Sequence, residues 1–256
     1  MKSFLSYLGG KSILAGQIIN KIPEHTCYCE VFAGAAWMLF KKDESEVEII
    51  NDINNNLITL YRVIKLHLEE FIRYLKWVLV SREEFERFKA ENPESLTDIQ
   101  RAVRFYYLLK NGYASKIDNP YFAVSAIKKP AFNLLRIEEE LSMAHLRLSR
   151  VYIENMHYQK CIEKFDKEKT FFYLDPPYYN CENYYGKNIF FKEDFIKLKD
   201  LLKALKGKFI MSLNNTKEVL EIYKDFNIEE VKTRYSTSNL NNHSKNVTEI
   251  LIRNFW

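Results

Sequence analysis

The chain has 256 residues, 47% of them apolar and seven of them glycine, which is enough material for one large core, or a core and a satellite, and excludes a disordered or fibrous protein. A net charge of +4 is modest, and four cysteines (Cys27, Cys29, Cys161, Cys181) form neither a disulfide framework nor the C-x-x-C pairs of a zinc site, so reduced thiols without a role are expected. The first residues reach Gly-Gly-Lys too early for a signal peptide, and the longest apolar run, "VFAGAAWMLF", falls short of the roughly 20 residues of a bilayer span; a soluble, cytoplasmic protein is expected.

The first sixty residues alternate in period. "KSILAGQIINKI" predicts a helix ending before Pro23, "TCYCEVF" a strand, "AAWMLFKK" a helix, "EVEIIN" a strand and "NNNLITLYRVIKLH" a long helix. From 61 to 150 the strand signal fades into four helical stretches, "LEEFIRYLKWVLV", "SREEFERFKA", "TDIQRAVRFYYLLKNG" and "AFNLLRIEEELSMAHLRL", with a basic, aromatic loop before the last. The alternation then returns: "RVYIEN" strand, "HYQKCIEKFD" helix, "TFFYLD" strand, a long loop, "KEDFIKLKDLLKAL" helix, "KFIMSL" strand and "TKEVLEIYKD" helix. "IEEVKTRYST" and "VTEILIRNF" finish the chain as an antiparallel hairpin at the sheet edge. The fold class is α/β, a parallel sheet with crossover helices. It divides into one unit from 1–60 and 151–256 and a mainly helical insertion over 61–150. Trp37 and Trp77 fall in helical apolar patterns and are expected in the core, as is most of the aromatic cluster at 104–115.

The charge is unevenly spread. Residues 101–150 hold nine Lys or Arg against four acids, a local +5 in a chain whose total is +4. Such a segment suits a polyanion, and equally a solvated helix face.

In open parallel sheets ligands bind beyond the carboxyl ends of the strands, so residues at those ends carry the chemistry. "EVFAGAA" puts small residues at a strand-to-helix turn, which serves close ligand approach or plain packing. The next strand ends in "INDIN", where Asp52 either meets ribose hydroxyls or caps a helix. "YLGGKS" has Leu5 where a phosphate-binding loop needs glycine, which argues against a nucleoside triphosphate site. "FFYLDPPYYN" stops a buried strand at two prolines. Neither has an N–H and each holds its predecessor extended, leaving the Asp175 carboxylate beside a fixed carbonyl and Tyr178 as a stacking face. Two acceptors suit a planar amino group. They orient its hydrogens so that the lone pair faces an electrophile, and the carboxylate stabilises the positive charge that develops on nitrogen. Five histidines lack ligand spacing, so no metal is expected.

In their order these residues resemble the Dam-like adenine-specific (N6) DNA methyltransferases: Tyr-x-Gly-Gly-Lys (Tyr7, Gly9, Gly10, Lys11), Phe-x-Gly (Phe32, Gly34) preceded by Glu30, the acid Asp52, a recognition segment, then Asp-Pro-Pro-Tyr (Asp175, Pro176, Pro177, Tyr178). "KFIMSLNNT" and "TRYSTSN…NVTEILIRN" are similar to the family's Ser/Asn-rich strand and last hairpin. The resemblance implies a Rossmann-like methyltransferase sheet using S-adenosyl-L-methionine, with S-adenosyl-L-homocysteine as product. Tyr7, Gly9, Gly10, Lys11, Glu30, Phe32, Gly34, Asp52, Tyr158 and Asp175 would line its site. Asp175, Pro176, Pro177 and Tyr178 would hold an adenine flipped from duplex DNA. The 61–150 insertion would recognise the DNA, with Arg104, Lys110, Tyr113, Lys116, Lys128, Lys129 and Arg136 as contacts. A cognate restriction endonuclease is a partner that the resemblance allows.

Two positions depart from the pattern. His157 and Tyr158 stand where relatives often have an acid and an aromatic, leaving Tyr158 to pack on the cofactor's adenine, and Ala36 stands where Gly or Ser is common. The same acceptor pair would serve RNA adenine or a protein glutamine, but the basic insertion and the place of Tyr-x-Gly-Gly-Lys argue against these. An inactive DNA-binding module of the same fold would not need Asp175, Pro176, Pro177 and Tyr178 together.

Overall fold

A computed structural model describes residues 1–5, 11, 14–113, 119–125, 127, 129–130, 132–181, 189–234 and 246–256. Seven strands form one sheet: β1 (Cys27–Glu30), β2 (Val47–Asn51), β3 (Val151–Glu154), β4 (Thr170–Leu174), β5 (Lys208–Asn214), β6 (Asn227–Arg234) and β7 (Asn246–Arg253). Their order is β3-β2-β1-β4-β5-β7-β6, with the first five parallel and β7 antiparallel to both β5 and β6. Each strand expected from the sequence is present, and the two-stranded ending is the expected hairpin.

The central strand explains the two-layer packing. Every residue of β4 is buried, as expected of a strand covered on both faces. Its side chains alternate, so Phe171 and Tyr173 enter one apolar cluster while Phe172 and Leu174 enter another. Helices α8 (Tyr158–Phe165), α9 (Lys192–Lys203) and α10 (Lys217–Ile222) supply the second cluster.

The first cluster holds α1 (Ala15–Ile19), α2 (Trp37–Lys41), α3 (Asn55–Leu66) and the helices that follow. These are α4 (Leu68–Leu75), α5 (Arg82–Ala90), α6 (Asp98–Asn111) and α7 (Leu134–Leu148). Local sequence sets their starts. Asn54 accepts from the amides of Asn56 and Leu57, Ser81 from Glu84, and Thr97 forms a reciprocal box with Gln100, each satisfying amides that lack an intrahelical partner. Helices α6 and α7 pack on α3, so Phe71, Phe85 and Leu141 share one continuous core with Tyr28 and Ile50 of the sheet. The 60/61 division falls inside α3.

Of the two tryptophans expected in the core, one lies outside it and the other packs against its edge. Trp77 is 87% exposed, because α4 ends at Leu75 and a tight turn closed by Trp77 N donating to Tyr74 O (3.2 Å) carries the ring outward. Trp37, at the start of α2, is only part-buried and faces the cleft described next. No helix among the described residues is long and apolar enough to cross a membrane.

Candidate active site

The parallel registers align Glu30 with Ile50 and Tyr173, so β1, β2 and β4 finish along one edge. A cleft enclosing about 870 Å³, part of it open to solvent, lies there among Glu30, Gly34, Asp52, Tyr158, Asp175 and Phe190.

Buried Asn51, the last residue of β2, staples the strand ends. Its amide group donates to Val31 O and Met156 O, its side-chain oxygen accepts from Met156 N, and its carbonyl accepts from Ala33 N (2.8–3.0 Å). The turn after β1 is thereby fixed in an unusual conformation, with Gly34 at φ 48 and Ala36 at φ 49. A left-handed residue with a Cβ costs roughly 1–2 kcal/mol, which explains glycine at 34 and is a cost that Ala36 bears. Gly34 N donates to Asp52 Oδ2 (3.0 Å), and Gly34 O accepts from the Tyr61 hydroxyl (2.8 Å). Asp52 Oδ1 accepts from Asn54 N (2.9 Å), so the acid braces both turns as well as facing the cleft. Burial raises its pKa, opposed by the amides of Asn54, Gly34 and Ile53.

Glu30 is 2% exposed. Burial pushes its carboxyl up to about 8, although the Tyr28 hydroxyl and Leu39 N each donate to Oε2 at 3.0 Å. Oε1 accepts no hydrogen bond from the described residues.

Asp175 follows β4 directly, with Pro176 and Pro177 buried behind it. Its two partners meet on one oxygen: Lys11 Nζ lies 3.0 Å from Oδ1, and Ser212 Oγ, on β5, donates to Oδ1 at 3.0 Å. Oδ2 accepts no hydrogen bond from the described residues, and the side chain keeps 21% exposure. Burial raises its pKa while Lys11 and Ser212 hold it down. Lys11 also lies 3.3 Å from Glu249 Oε2 on β7, donates to the Tyr178 hydroxyl, and stands over the Tyr178 ring at 4.4 Å. Beyond the prolines, Tyr178 O accepts from Cys181 N (2.8 Å) across a turn with Asn180 at φ 66, and the Asn214 side chain clamps both backbone groups of Tyr179 (2.9 and 3.1 Å).

The other end of the cleft is aromatic. Phe32 and Tyr158 lie 5.7 Å apart between centroids, and Phe190 packs on both at 6.1 and 5.7 Å. Asp194 fixes them, accepting from the Tyr158 hydroxyl (3.2 Å) and from Phe191 N (2.8 Å).

The structure thus gathers Lys11, Glu30, Phe32, Gly34, Asp52, Tyr158 and Asp175 around one cleft, with Tyr178 against Lys11. Tyr7, Gly9, Gly10, Lys116 and Lys128 lie outside the described residues. Sequence reasoning missed Ser212, Asn214, Phe190 and Glu249 as individual site residues.

The basic segment divides. Arg104 turns inward to the carbonyls of Phe88 and Lys89 (2.6 and 3.1 Å), as Arg101 does to Asn56 and Glu94 and Arg147 to Glu48 and Leu39. Lys110 lies 3.6 Å from Glu140, and exposed Arg136 donates to Glu140 at 2.8 Å. Both line a groove with Lys2, Pro130 and Asn133 that meets the cleft at Trp37. Lys129 and Tyr113 are exposed, and Tyr113 stacks on Tyr121 at 5.2 Å.

A family model described as D12 class N6 adenine-specific DNA methyltransferase matches residues 7–237. The chain is 26% identical to the type II methyltransferase M1.LlaDCHI of Lactococcus lactis subsp. cremoris, over 100% of this chain and 96% of that protein. It is 27% identical to the DNA adenine methylase of Escherichia coli K12, over 98% and 94%. Against the type II methyltransferase M.CviBI of Paramecium bursaria Chlorella virus NC1A it is 25% identical, over the whole of both.

Proposed function

The chain belongs to the D12 class of N6 adenine-specific DNA methyltransferases, and from that premise we propose how its own residues carry out the reaction: Asp175, Pro176, Pro177 and Tyr178 receive an adenine flipped from duplex DNA beside bound S-adenosylmethionine. The observation that carries this reading is the Asp175 carboxylate, anchored through Oδ1 by Lys11 and Ser212 with Oδ2 accepting no hydrogen bond from the described residues at the head of the cleft.

The cleft fits the cofactor by the chemistry of its lining. A planar base suits the slot of Phe32, Tyr158 and Phe190, a ribose diol suits Asp52, and a cationic methionyl portion suits Glu30 and Asp175. When bound, S-adenosylmethionine supplies an electrophilic methyl on a sulfonium. Everything else falls to the protein. Asp175 Oδ2 accepts a hydrogen of the exocyclic amine and orients its lone pair, the two prolines hold the backbone rigid, and Tyr178 offers an aromatic wall to the extruded base. As nitrogen gains positive charge, the adjacent carboxylate stabilises it.

Helices of the 61–150 segment serve as the recognition unit in this proposal. Support comes from the groove lined by Lys2, Lys110 and Arg136, which shares Trp37 with the cleft and suits a phosphate backbone approaching the site. Exposed Lys129 and Tyr113 are further contacts in this proposal, and Lys116 and Lys128 keep that role from the sequence alone. Arg104 is left out, since its guanidinium closes the end of α5. A cytoplasmic enzyme paired with a cognate restriction endonuclease completes the reading; DNA methylated by the chain would resist cleavage by that enzyme.

The deciding experiment incubates the protein with methyl-labelled S-adenosylmethionine and unmethylated duplex DNA, then analyses the nucleosides. Label in N6-methyladenine is expected from the wild type and none above background from Asp175→Ala. Cofactor binding without N6-methyladenine overturns the reading.

A further inference from the structure

Glu249 is fully buried within β7, opposite Asn214 at the end of β5. Because β7 runs antiparallel to β5, its early residues lie at the carboxyl edge of the parallel strands, where the cleft opens. A carboxylate placed there without a partner would be costly, and its partner is Lys11, 3.3 Å away and shared with Asp175 at 3.0 Å. The Tyr178 hydroxyl contacts both Lys11 and Glu249. Three chain segments far apart in sequence therefore converge on one ammonium.

The formal charges decide what the arrangement does. Lys11 facing Asp175 alone would make a pair with no net charge, leaving only its dipole to meet a nitrogen that turns positive as it is methylated. With Glu249 added, two carboxylates share one ammonium and the cluster carries −1. In transfer the N6 lone pair forms the new C–N bond as the C–S bond breaks onto sulfur, and the nitrogen then sheds one proton to the Asp175 carboxylate, from which it passes to water. Both the developing charge and that proton are favoured by the negative potential that Glu249 adds around Asp175.

We propose that Glu249 is a positioning residue for methyl transfer: it takes up the charge of Lys11, so that Asp175 meets the target amine uncompensated, and it holds the Tyr178 hydroxyl and thus the stacking ring. The inference rests on the function proposed above. A mere structural counter-ion would be read in stability and not in the rate of the bound complex, since Lys11 keeps Asp175 when Glu249 is gone.

The test compares Glu249→Gln, which keeps shape and removes charge, with Glu249→Asp, which keeps charge. Single-turnover methylation is measured at saturating cofactor and duplex, together with the affinity for each and the melting temperature. Glu249→Gln is expected to transfer about tenfold to a hundredfold more slowly than wild type with both affinities within about threefold. Glu249→Asp is expected within about tenfold of wild type and faster than Glu249→Gln. A Glu249→Gln rate less than tenfold below wild type, or a Glu249→Asp rate no better than Glu249→Gln, overturns the proposal. Should Glu249→Gln fail to fold, Glu249→Asp decides: a rate within about tenfold of wild type supports it and a slower one overturns it. Wild-type transfer to adenine N6, run alongside, tests the underlying function separately from these ratios.

Discussion

Ser212 Oγ sits between the Tyr173 hydroxyl, at 2.9 Å, and Asp175 Oδ1, to which it donates at 3.0 Å, so β5 braces the acid that β4 delivers. The side chain is fully buried, and its hydroxyl ties one carboxylate oxygen to the sheet. Removing it frees the carboxylate to rotate toward Lys11. Ser212→Ala is expected to lower kcat by about tenfold while KM for the cofactor changes less than threefold, as read from initial rates over a cofactor series; a raised KM with kcat unchanged would assign Ser212 to binding.

The left-handed turn at Gly34 makes a second prediction. A β-branched residue at φ 48 is strained, and the amide that donates to Asp52 would be displaced with it. Gly34→Val should cost about 2 kcal/mol or more, a fall in Tm of roughly 4–8 °C for a chain of this size, and weaken cofactor binding at least tenfold. Thermal melts with and without cofactor check both, and an unchanged ligand-induced rise in Tm would remove Gly34 from the site.

The pH dependence follows from Glu30, whose folded pKa stands at about 8 against an ordinary 4.5. A carboxyl raised on folding favours the fold fully below its ordinary value, and that contribution is lost as pH climbs through the folded value. Asp52, Asp175 and Glu249 are raised in the same direction. The ligand-free protein should therefore lose stability between about pH 5 and 8, and Glu30→Gln should flatten the profile. A cationic ligand reverses this by favouring the carboxylate, so cofactor binding at pH 7 should release protons in wild type and fewer in Glu30→Gln. Calorimetry in buffers of different ionisation enthalpy measures them.

On the DNA side, Lys129 and Arg136 are exposed whereas Arg104 is turned into the fold. Substituting Lys129 or Arg136 by Ala should weaken duplex binding and lower the salt slope by about 0.9 for each phosphate that is no longer neutralised. Arg104→Ala should instead lower Tm and leave the slope unchanged. Titrations across a salt series separate these outcomes.

The fold was largely legible because its periods are clean, and Asp175, Glu30 and Asp52 were legible because each follows or ends a parallel strand. Glu249 was not, since an antiparallel strand brings its beginning to that same edge and the pairing of β7 with β5 is a long-range fact. A signal did exist: one acid within the apolar run "VTEILIRNF" is expensive to bury unless something answers it. Phe190 was hidden because nothing local distinguishes an aromatic that lines a cleft from one that packs on α9. Counting basic residues over 101–150 was misleading for Arg101, Arg104 and Arg147, whose partners lie 7 to 108 positions away. Sequence gives the charge of a segment but not the direction in which each guanidinium turns.

The placement of β7 between β5 and β6 also bears on how the enzyme is made. β7 follows both β5 and β6 in the chain, yet its seat is between them, so until it is made β5 has an open edge and β6 has no neighbour. A nascent chain can already hold every motif from Lys11 to Tyr178 while lacking Glu249. Competence for methyl transfer would then await β7, because Glu249 arrives only with that strand.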